Sequence, residues 1–131
     1  MDFNWEVAAA LDYNNDGARD LLWYNPNSGK IVLWFMDAAV HRISGRFTNP
    51  ANAGDNNWKV YAGGDYGAGV GGSACTNDIV WRNATSGKEV VWYMDQAGNR
   101  TSGTFTVPDA PVSDPDGNPT AATDWIVTGP R

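Results

Sequence analysis

From Asp12 to Asp20 the chain reads Asp-Tyr-Asn-Asn-Asp-Gly-Ala-Arg-Asp, which sets oxygen-bearing side chains at loop positions 1, 3, 5 and 9 and a glycine at position 6 for a sharp turn. Alternate residues of a tight loop can converge their side chains, and Ca2+ takes roughly six to eight hard oxygen ligands, main-chain carbonyls included. The spacing therefore predicts a calcium cradle of Asp12, Asn14, Asp16 and Asp20, with the carbonyl of Ala18 filling a gap. The same residues also have a plainer reading, an Asx-rich turn in which short polar side chains cap the local main chain.

Other candidate chemistry is thinner. A second loop begins Asp65-Tyr66-Gly67-Ala68-Gly69 and reaches Asp78 after an insertion, so Gly67 and Gly69 stand where the first loop has Asn14 and Asp16. One metal per chain is expected rather than two. Asp114, Asp116 and Asn118 form another polar cluster, but a Pro-rich surface loop explains them. Gly67, Gly69 and Gly72 spell G-x-G-x-x-G, yet no helix follows to receive a pyrophosphate at its N-terminus. Cys75 and the lone His41 have nothing to orient them as nucleophile and base. With no assembled nucleophile, base and oxyanion donor, the chain is not expected to be an enzyme.

The elements that carry these residues repeat. DLLWYNPNSGKIVLWFMD, Asp20 to Asp37, recurs 58 residues later as DIVWRNATSGKEVVWYMD, Asp78 to Asp95. A period of this order marks an array of units that bury their faces against neighbours. Each unit opens on an alternating run, WEVAAALD from Trp5 or WKVYAGGD from Trp58, then gives DLLWYN or DIVWRN, a Ser-Gly turn, and KIVLWFMD or KEVVWYMD. Period-2 alternation and branched or aromatic residues predict strands. Val32, Trp34 and Met36 share one face and match Val90, Trp92 and Met94. HRISGRFT and NRTSGTFT predict a polar fourth strand. The first unit is read as residues 1–57 and the second as 58–124, closing on a long Pro-rich loop from Val107 to Asp124. Residues 125–131, led by Trp125, read as a ninth strand, either the start of a third unit or a closing strand swapped between chains.

Composition agrees with an all-β chain that has a real core: 131 residues, 42% hydrophobic, seven Trp, and no helical periodicity. A net charge of −6 disfavours nucleic acid, whose binding needs clustered Lys and Arg. A single Cys forbids an intrachain disulfide. No charged and apolar leader precedes Asp2, and no apolar run approaches a membrane span.

The strand, the DxNxDGxxD loop, DLLW and G-x-x-V-x-W together resemble the FG-GAP or VCBS type of β-propeller blade, found in integrin heads and related lectins. An EF-hand starts with similar spacing, but here no Glu stands at position 12 and no helix flanks the loop. The resemblance implies two blades of four antiparallel strands plus one extra strand. Since propellers close with about four to eight blades, it also implies a ring completed by a longer parent chain or by several copies, and oligomerisation, a homotrimer first, is the favoured expectation. It implies Ca2+ in the loop between the first two strands, and extracellular or cell-surface use with the leader absent from this chain.

Trp5, Trp58 and Trp125, with Trp23 and Trp81, are expected to pack blade against blade. Propeller lectins of this resemblance bind sugars in clefts between blades, which implies Tyr24, Asn25, Trp34, Arg82, Asn83 and Trp92 as sugar-binding candidates, with glycans as partners. The expectation is a non-enzymatic, calcium-stabilised lectin. Its rival is a structural or protein-interaction propeller fragment of an integrin-like or adhesin protein. Asn83-Ala84-Thr85 and Asn99-Arg100-Thr101 also match the N-glycosylation pattern.

Overall fold

The computed structural model describes residues 4–66 and 76–106. Among them there is no helix, and so none that could cross a membrane. The first repeat forms β1 (Glu6–Leu11), β2 (Asp20–Tyr24), β3 (Ile31–Met36) and β4 (Arg42–Phe47), one antiparallel sheet in chain order. The second forms β5 (Trp58–Gly64), β6 (Asp78–Asn83), β7 (Glu89–Met94) and β8 (Arg100–Phe105), paired in the same way. Two four-stranded meanders of this kind are consistent with two propeller blades. The expectations for Gly67, Gly69, Gly72, Cys75, Asp114, Asp116, Asn118, the loop from Val107 to Asp124 and the strand at Trp125 fall outside the described residues.

Repetition reaches down to the irregularities. The register of β1 against β2 shifts between Val7 and Ala9, and that of β5 against β6 shifts between Val60 and Ala62. Likewise β3 shifts against β4 between Phe35 and Met36, and β7 against β8 between Tyr93 and Met94. A bulge adds local twist and re-aims the residues beside it, so equal placement gives the two blades the same curvature. Their tight turns are also equal: Gly29 and Gly87 have φ of 71° and 74°, a conformation that suits glycine.

The core lies between the blades. Strand alternation turns Leu22, Tyr24, Ile31 and Leu33 of the first sheet toward Ile79, Trp81, Val90 and Trp92 of the second, and all eight are buried in one cluster. The Tyr24 ring meets Trp81 edge-on, with centroids 6.4 Å apart. Closer to the innermost strands, the buried Tyr13 lies over Gly63, where a Cβ would sit 2.6 Å from the Tyr13 Oη. At the outer rim the connector is clipped to the second blade: the Asn49 N–H donates to the Gly98 carbonyl (3.0 Å), and the Arg100 N–H donates to the Asn49 carbonyl (2.8 Å).

The two remaining faces differ. That of the second blade is buried around Ala62, Val80 and Val91. That of the first, with Leu21, Trp23, Val32 and Trp34, is partly exposed, and Val7 is 43% exposed where its repeat partner Val60 is 8%. The same residue types in the same register thus lie deeper in the second blade, because the first blade covers them there.

Candidate functional site

The acidic loop joins β1 to β2. Its side chains mostly hold the loop itself: Asp12 accepts the N–H groups of Asp16 (3.2 Å) and Gly17 (2.8 Å), Asn14 Oδ1 accepts Asp16 N–H (3.2 Å), and Asp16 Oδ1 accepts Ala18 N–H (2.8 Å). Asn14 Nδ2 also donates to Asp16 Oδ2 (3.1 Å). These are Asx-type turns, which satisfy the main chain of a loop that has no ladder.

Asp20 lies beneath the loop and is 0% exposed. Its Oδ2 accepts the N–H groups of Tyr13 (2.8 Å) and Asn14 (3.3 Å), and its Oδ1 accepts that of Met36 (2.9 Å). Burial pushes this carboxyl upward against the pull of those three N–H groups, with the charge of Asp16 adding to the rise. Asp20 thus stands apart from the other three side chains expected around a calcium ion. Asp12, Asn14 and Asp16 surround the loop, while the fourth side chain points into the blade and serves main-chain donors. Among the described residues, no three His, Cys, Asp or Glu side chains form a group that could hold a metal ion.

The six sugar-binding candidates do not share one place. Tyr24 belongs to the core between the blades, where burial first, then Glu6 and Tyr61, push its phenol up to about 12. Asn25 and Asn83 cap the two hairpin turns: Asn25 Oδ1 accepts the N–H groups of Asn27 (3.0 Å) and Ser28 (3.2 Å), and Asn83 Oδ1 those of Thr85 and Ser86 (2.9 Å each). Arg82 is buried, with its Nε 4.0 Å from Glu89. Trp34 and Trp92 hold equivalent places, each 5.0 Å from a second Trp and each under an arginine, Arg42 at 5.3 Å and Arg100 at 5.4 Å. Of the two sequons, Asn99 has its amide donated to Asp95 (2.9 Å).

Trp92 does line a groove of about 460 Å³ between the connector and the second blade. Its walls are Trp58, Trp92 and Phe105, with Arg100 at one side and Asn52 and Ala53 of the connector opposite. Phe105 is 53% exposed, its ring 6.3 Å from that of Trp58. Apolar ring faces beside a guanidinium and a carboxamide can stack on the C–H face of a small polar ring while hydrogen-bonding its hydroxyls. In the sequence Trp58 reads as a packing residue, and Arg100 and Phe105 belong to no candidate site. The signal was the shared Arg-x-Ser-Gly-x-Phe of the fourth strands, which returns as Arg42 and Phe47 beside Trp34 and Trp5 in the first blade.

Residues 3–35, which hold the acidic loop and most of the first three strands, match the family model of the FG-GAP repeat. No curated protein and no solved structure matches the chain.

Proposed function

We propose that this chain is a non-catalytic saccharide-binding unit of a propeller that completes its ring by self-association. The FG-GAP match at residues 3–35 suggests a propeller domain of integrin-like type, a class that is generally non-catalytic. The observation that carries the sugar reading is the groove of Trp58, Trp92 and Phe105 flanked by Arg100 and Asn52. With Trp92 buried behind them, the faces of Trp58 and Phe105 stand beside donors and an amide, the combination that suits neutral polyhydroxyl rings better than fully apolar ligands. Weak single sites would gain avidity from the several copies that a ring presents. Such a lectin works outside the cell or at its surface.

The partly exposed outer face of the first blade supports self-association: Val7, Leu21, Trp23, Val32 and Trp34 match Val60, Ile79, Trp81, Val90 and Trp92, the face of the second blade that the first blade covers. A trimer would supply six blades, within the usual range for closure. That same exposed face also favours a second reading, a protein-interaction module whose partner is another protein. A glycan array followed by calorimetric titration tests the first reading. Binding of at least one glycan class, lost in Phe105→Ala and Trp58→Ala, is the expected result. No glycan binding by the assembled chain would leave the interaction module in its place.

A further inference from the structure

We infer that Asp20 and Asp78 are one device used twice: a buried carboxylate clip that closes each blade onto its own main chain, in place of a cation ligand. The two side chains are equally deep, 0% and 1% exposed. Asp78 repeats the bonding of Asp20, with Oδ2 accepting the Tyr66 N–H (3.1 Å) and Oδ1 the Met94 N–H (3.0 Å). Tyr66 and Tyr13 are the matching residues of the two loops, and Met94 and Met36 end the two third strands.

The need for the clip follows from the ladders. Pairing of β2 with β3 ends at Leu21 and Trp34, and pairing of β6 with β7 ends at Ile79 and Trp92. Met36 and Met94 lie beyond those last pairs and beside a register shift against the fourth strand, yet both are buried. Their N–H groups would be buried donors without a ladder acceptor, a loss worth avoiding at almost every such position in a folded protein. A side-chain carboxylate at the first residue of β2 or β6 reaches them. Its other oxygen takes the N–H of Tyr13 or Tyr66 in the preceding loop, so one residue ties three segments together.

The second blade separates this role from metal binding. Its loop keeps Asp65 where the first has Asp12 but has Gly67 and Gly69 in place of Asn14 and Asp16, so two of the cradle's four side-chain ligands are missing from the sequence. Asp78 nevertheless keeps the depth and the partners of Asp20. What the two aspartates share is therefore the main chain they hold.

The test compares Asp20→Asn, Asp78→Asn and Asp16→Ala in the full chain, each melted in CaCl2 and in EGTA. The clip predicts that both Asn variants lose about 5 °C or more, by similar amounts, in either solution, while Asp16→Ala loses much less. The idea is overturned if calcium raises the melting temperature of the parent and Asp20→Asn alone abolishes that rise. Should an Asn variant fail to fold, amide exchange in the parent gives the answer. The Met36 and Met94 N–H groups should be among the slowest to exchange with or without calcium. Fast exchange at both, or protection that appears only with calcium, would sink the clip.

Discussion

Val40 sits in the β3–β4 turn at φ 66°, where the matching turn of the second blade has Gly98 at φ 86°. A β-branched residue in the left-handed region costs about 1–2 kcal/mol, and Val40, 75% exposed, has no burial to offset it. Val40→Gly should therefore stabilise the chain by about 1 kcal/mol after the entropy of the new glycine is counted, seen as a higher melting temperature. A lower one would mean that the valine side chain has a partner. Asp95, in the opposite turn, gives a pH test. Burial pushes its carboxyl up, but the N–H groups of Asn99 and Ala97, the Asn99 amide and the charge of Arg46 hold it below its ordinary value. A lowered carboxyl adds stability that is present above the ordinary aspartate pKa of about 3.9 and is lost as pH falls through the lowered value. The gap in melting temperature between the parent and Asp95→Asn should thus be open at neutral pH and close in strong acid.

Among the elements, the contact between the innermost strands tolerates least. A Cβ on Gly63 would meet Tyr13 Oη at 2.6 Å and Leu11 Cδ1 at 2.9 Å, closer than real side chains come. Gly63→Ala should cost about 1–3 kcal/mol, the usual range for overpacking; chemical denaturation measures it, and an unchanged midpoint would show that β1 and β5 can part without loss. The strands themselves were legible in the sequence, because alternation and the Ser-Gly turns act over a few residues and the repeat stated them twice. Side-chain bonding was less so. Asn25 and Asn83 look like exposed hydrogen-bonding groups until the hairpin closes and their oxygens take turn N–H groups. Asp20 reads as the last member of an acidic loop because spacing says nothing of ladder ends, and only the end of the β2–β3 pairing reveals the orphan donor it serves. The groove at Phe105 is not legible in the sequence, because it needs the connector from one blade and the wall of the next, a juxtaposition that no local pattern carries.

For the whole molecule, the outer face of the first blade makes the decisive prediction. Val7→Glu places a charge on that face without touching the buried cluster between the blades. If copies associate there, the parent chain should have the mass of a small ring in light scattering, and Val7→Glu should run as a folded monomer. A monomeric parent would dismiss self-association outright.

The clip at Asn49 bears on how the two repeats yield. Arrays of repeats usually come apart unit by unit, since each contacts only its neighbours. Here the blades are fastened at both ends of their radius, by Tyr13 over Gly63 inside and by the main chain of Asn49 between Gly98 and Arg100 outside. Neither blade can swing away as on a hinge. Stretched between residues 4 and 106 in a force experiment, the pair should hold together and then give way in a single rupture.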